Sequence, residues 1–173
     1  MQPEDALTTL GEVAAAFAGF SGVVAALGVK SLADLPALHR FRFANLLVVS
    51  VGAALFAFLP IVLEQFPIGG SAVWASSSAL LAVFAGTLLF TRWRAGLRLG
   101  SLTSGPANLW MATCWLGVLS VVCLLQLGNI VEWPWSRSGS AYVAGVFGLL
   151  LVSGLQFISL ALPRNAKNGT RDL

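Results

Sequence analysis

Charge is what this sequence has least of. Seven acidic and ten basic side chains in 173 residues amount to 10 % of the chain, against roughly a quarter in soluble domains. With 57 % hydrophobic residues, a water-soluble fold could not hide the apolar surface that remains, so that class is excluded. Histidine is nearly absent. His39 has no companion ligand near it in the chain, which argues against a metal or haem centre. No lysine falls inside a long apolar run, which removes a retinal Schiff base of the usual kind. The two cysteines, Cys114 and Cys123, share one apolar run. On a helix they stand about 13 Å apart and cannot bridge each other. There is no glycine-rich phosphate loop, H-E-x-x-H, G-x-S-x-G or C-x-x-C. The chain is therefore expected not to be an enzyme and to carry no cofactor or metal. Basic residues are missing ahead of Lys30, where Glu4 and Asp5 stand instead. That is the wrong polarity for a secretory signal, so the first apolar run reads as a mature helix.

What the sequence does have is long apolar runs. Five nearly uncharged stretches occur, at about 6–28, 43–65, 71–91, 107–129 and 140–162, each of a length that spans a bilayer as a helix. The expected fold is all-α, a single polytopic bundle of five transmembrane helices. Lys30, Arg40 and Arg42 separate the first two runs, Arg92, Arg94 and Arg98 separate the third and fourth, and Arg164, Lys167 and Arg171 follow the fifth. All nine share one side if five helices alternate, and only Arg137 falls on the other. The positive-inside rule then places the N-terminus outside and the C-terminus in the cytoplasm, in a plasma or bacterial inner membrane. The net charge of +3 is thus a topology signal, and nucleic acid is not an expected partner. Trp74, Trp133, Trp135 and Tyr142 near outer span ends, with Trp93 and Trp110 near inner ones, fit interfacial aromatic belts. Between the first two spans, Leu32, Leu35, Leu38 and Phe41 recur at three-residue steps beside basic residues. This predicts a short amphipathic helix in the headgroup plane, capped by Ser31 with Asp34.

A set of anchors recurs in order. Ala44-Asn45-Leu46, Glu64-Gln65-Phe66-Pro67 and Gly70-Ser71-Ala72-Val73 are echoed by Ala107-Asn108-Leu109, Glu132-Trp133-Pro134 and Gly139-Ser140-Ala141-Tyr142. They suggest a repeat of two hairpins, 43–91 and 107–162, with the first helix left unpaired. That first helix is rich in small residues. Gly11, Ala15 and Gly19 form one row, with Gly22 on a second, so it is a candidate for the bundle centre or an oligomer axis. Pro60 is expected to free the carbonyl of Phe56 and bend the second helix.

Few residues are equipped for chemistry. Glu12 is the one carboxylate well inside a span, so it is a candidate for an ion or proton path. The same stretch, Thr9-Leu10-Gly11-Glu12, also fits a capping box that would start the helix at the interface. Gln126, Asn129 and Glu132 lie at three-residue spacing, on one face of a helix. With Glu64 they give the outer side an acidic character that would concentrate cations. Two functional classes follow: a homo-oligomeric ion channel or transporter-like pore with membrane lipids and ions as its partners, or a non-conducting scaffold or accessory subunit of a larger complex.

Overall fold

A computed structural model describes residues 2–28, 37–67, 69–98, 106–133 and 138–161. Five α-helices follow one another: α1 (Pro3–Gly28), α2 (Ala37–Leu63), α3 (Gly70–Arg98), α4 (Pro106–Val131) and α5 (Gly139–Ala161). Each is long and apolar enough to cross a membrane. Side chains such as Leu55, Val83, Leu124 and Phe147 point outwards, the apolar belt that a lipid-facing bundle carries and a soluble one avoids. The chain is a multi-pass helical membrane protein.

Local sequence explains the helix ends. Pro3 takes the first helical position of α1, where its missing N–H costs nothing. The Asp5 carboxylate accepts from the backbone N–H of Gln2 at 3.3 Å, half of a capping box. The helix therefore begins two turns before Thr9, whose hydroxyl bonds back to the Asp5 carbonyl within the helix at 3.1 Å. A helix start at Thr9 through Glu12 is thereby corrected. At the other end of the chain, Ser138 caps α5, its Oγ accepting from the N–H of Ala141 at 3.3 Å. Helix α4 closes with a Schellman turn. Glu132 adopts φ 59°, Trp133 N–H donates to the Gly128 carbonyl at 3.1 Å, and a Cβ on Gly128 would come within 2.7 Å of the Trp133 carbonyl oxygen.

Helix α3 runs on to Arg98, so Arg92 and Arg94 sit on its last turns instead of in a loop. Residues 37–42, expected in an interfacial connector, continue α2. The rest of that connector with Ser31 and Asp34, Arg137, and the C-terminal basic tail lie outside the described residues.

Helix α5 is the centre of the bundle. It packs along α2 on one side and α4 on the other, and also meets α1 and α3. The core is built on its Tyr142, Val146, Leu149 and Val152 with Leu7, Val49, Ala53, Leu81 and Val122 from the other four helices. Helix α1 is at the edge, packed chiefly on α2. A first helix that is unpaired, or central to the chain's own bundle, is thus corrected. The reason is steric: Gly145 and Gly148 of α5 let α4 approach so closely that a Cβ on either would collide with Gln126 or Val122, while a Cβ on Gly19 or Gly22 of α1 would meet nothing within 4 Å. The closest hairpins are α1–α2 and α3–α4, and α2 meets α3 only lightly, through the Phe84 ring set over Gly52 and 5.1 Å from that of Phe56.

Pairings fix the directions. Pro3 lies against Gly139, and Phe17 and Phe20 lie against Phe157, so α1 and α5 run parallel. One end of the bundle then carries Glu4, Asp5, Glu64 and Glu132, and the opposite end Arg40, Arg42, Arg92 and Arg94.

Candidate functional site

Helix α4 crosses the bundle with two carboxamides on its buried face. Gln126 and Asn129 are both fully buried, one turn apart and pointing towards α5 and α3. Asn129 is bonded on both sides: its Nδ2 donates to Ser78 Oγ of α3 at 2.8 Å, and its Oδ1 accepts from the Ser138 N–H at 2.8 Å. Gln126 Nε2 donates to the Ala141 carbonyl at 3.1 Å. The two residues thus clamp the first turn of α5, the segment that Ser138 caps. In a medium that offers no water, each of these bonds replaces an unsatisfied backbone or side-chain group.

A second connection lies beside the first. Pro60 has no N–H to give the Phe56 carbonyl four residues earlier. Tyr142 supplies the missing donor, its hydroxyl bonding to that oxygen at 2.6 Å. The tyrosine is fully buried, with its ring 6.0 Å from Trp74 of α3. The carbonyl that Pro60 frees is therefore occupied, and α2, α3 and α5 meet at one side chain. The sequence reading missed this pairing. The signal for it was present in the only tyrosine of a chain that also places a proline inside a span.

The acidic candidates stand apart from this cluster. Glu64 follows the end of α2 and Glu132 follows the end of α4, both exposed. Glu12 is also exposed, but far from a helix end: nine residues into α1, about 13 Å along its axis. Its neighbour Gly11 rests on α2, where a Cβ would stand 3.0 Å from the Phe58 ring and 3.3 Å from Ala57. Six residues of α2, about 9 Å, lie beyond that level. Glu12 shares its outward face with Thr8, Ala15, Ala16, Gly19, Gly22 and Val23, all exposed. The inward face holds Leu7, Gly11, Ala14 and Ser21. Of the predicted packing residues, Gly11 alone is buried in the chain, and Ala15, Gly19 and Gly22 look away from it.

The arrangement thus brings Gln126 and Asn129 together in the interior and leaves Glu12, Glu64 and Glu132 on the surface. Among the described residues no three His, Cys, Asp or Glu side chains converge as metal ligands would. No known protein family matches this chain, and neither a curated protein nor a solved structure is detectably similar to it.

Proposed function

We propose that the chain is the protomer of a homo-oligomeric ion channel or transporter-like pore, non-enzymatic, in which copies meet along the outward face of α1 and Glu12 borders a hydrated, cation-favouring path between them. The observation that carries the reading is the position of Glu12. It lies more than two turns inside α1, at the centre of a face of small residues that no described residue covers. A carboxylate at such depth against lipid costs roughly 3 kcal/mol on insertion scales, a penalty that water between subunits removes. Small residues beside it allow close approach of a second helix. Within the described protomer α5 fills the centre with Tyr142, Val146, Leu149 and Val152, and Gln126 Nε2 and Asn129 are engaged in holding helices. Glu64 and Glu132 at the same end add negative charge to the mouth.

The direction follows from charge. Basic residues collected at one end and acidic residues at the other fit an N-terminus outside and a C-terminus in the cytoplasm of a plasma or bacterial inner membrane. Accessibility of single cysteines placed at Gly69 and at Arg40 tests it, with impermeant reagent expected to label the first and not the second in intact cells.

The second reading is an accessory subunit, in which a partner's helix covers the same face and sets a cationic group against Glu12. Its support is that this face is the part of the described surface where a buried-depth charge and close-packing residues coincide. Purification decides between the two. Flux through liposomes holding the protein alone, reduced by Glu12→Gln, supports the pore, whereas a silent chain that co-purifies with a stoichiometric partner supports the subunit.

A further inference from the structure

Towards the basic end, the seam between α3 and α4 opens outwards as a groove of about 410 Å³ lined by Gly86, Leu89, Phe90, Trp93, Leu116 and Ser120. We infer that this groove holds one acyl chain of an anionic phospholipid, with Arg94 set against the lipid phosphate.

The groove has the shape of a chain and not of a headgroup. Its α3 wall recurs at three- and four-residue steps from Gly86 to Trp93, a strip about 10 Å long on one helix face. Gly86 keeps its floor open, since a Cβ there would meet nothing within 4 Å. The one hydroxyl in the lining is neutralised, because Ser120 Oγ donates to the Leu116 carbonyl of its own helix at 2.9 Å. The strip is therefore apolar in effect, as an acyl chain requires.

Charge selects the headgroup. Arg94 is exposed, and its guanidinium lies 4.7 Å above the ring of Phe90, a wall of the groove. The cation is thus held at the groove by the residue that lines it. All described carboxylates, on Glu4, Asp5, Glu12, Glu64 and Glu132, belong to the other half of the bundle, so no described acidic side chain competes with a phosphate for it. Trp93, half exposed beside it, suits the level where chain meets headgroup. Two other outward grooves lack this pairing. One runs along α4 beneath Trp133 and the other lies between Ala6 of α1 and Phe147 of α5, both near the acidic end.

The experiment is native mass spectrometry of the full chain released from nanodiscs of phosphatidylcholine doped with phosphatidylglycerol. Wild type is expected to retain phosphatidylglycerol in preference. Arg94→Gln is expected to lower the ratio of the two retained lipids about fivefold, the effect of one arginine near a membrane surface, while Arg40→Gln, at the same end on α2, leaves it unchanged. Gly86→Leu projects into the groove from a position where the added Cβ meets nothing within 4 Å and is expected to reduce retention of both lipids. Leu116→Trp fills it from the opposite wall and gives the same reading should Gly86→Leu express poorly. Retention unchanged in both groove-filled variants, an Arg94→Gln ratio equal to that of Arg40→Gln, or a lipid-free dimer joined through this seam would each overturn the inference.

Discussion

The Tyr142 hydroxyl donates a 2.6 Å hydrogen bond to the Phe56 carbonyl, the acceptor that Pro60 strands by lacking an N–H. The proline and the tyrosine are 82 residues apart in sequence, yet each makes sense only with the other. Tyr142→Phe is expected to destabilise the fold by about 1 kcal/mol, typical of an interhelical bond in a membrane bundle. Pro60→Ala restores the backbone donor, so the same change in that background is expected to cost clearly less. Unfolding midpoints in a denaturing detergent series measure both arms. Equal costs in the two backgrounds would show that the hydroxyl does not serve the stranded carbonyl.

Glycines on α5 and α1 are expected to behave oppositely. Gly145→Ala drives a methyl into the Gln126 carboxamide and towards Leu81, at a cost of about 1–3 kcal/mol by overpacking. Gly22→Ala meets open space and is expected to leave the protomer as stable as wild type, or slightly more stable through helix propensity. The same midpoints report both variants. Comparable losses at the two sites would contradict a bundle centred on α5.

Asn129 joins three helices, bonding Ser78 of α3 and the capping residue Ser138 of α5. Asn129→Ala is expected to cost about 2 kcal/mol, since it leaves the Ser138 N–H without its acceptor and the Ser78 Oγ without its donor in a dry site. Ser78→Ala removes one bond only and is expected to cost less than half as much. Amide exchange over Ser138–Tyr142 should quicken in the first variant and stay near wild type in the second. Unaltered exchange in Asn129→Ala would separate this residue from the start of α5.

Much of the fold could be read from charge and apolar length. Five nearly uncharged runs became five helices, and Trp74, Trp110 and Trp133 fall within a few residues of the ends of α3 and α4. The exceptions share a cause. Arg92 and Arg94 marked a loop in the sequence because they are charged, but a long side chain can ride on a helix while its head reaches polar surroundings or an aromatic face, so α3 continues past them. The centre of the bundle was not legible. Small-residue rows on α1 and α5 look alike in sequence, and only the partner brought opposite each one decides which is packed: Gly145 and Gly148 meet Gln126 and Val122, while a Cβ on Gly19 or Gly22 would meet no described residue within 4 Å. The same holds for the polar candidates. Equal spacing put Gln126, Asn129 and Glu132 on one helix face, but the Schellman turn at Glu132 takes that residue out of the helix and leaves the two carboxamides to bind helix ends.

The pore reading stands or falls on what faces Glu12. The most direct measurement is single-particle imaging of the purified chain in lipid nanodiscs, read for subunit number and for what faces Glu12. A pore of this kind is expected to show a symmetric ring whose α1 helices approach through Ala15, Gly19 and Gly22 with Glu12 against a hydrated axis, and cation flux that falls in Glu12→Gln. A monomer, or a ring with α1 on its outer rim and Glu12 in lipid, would contradict it.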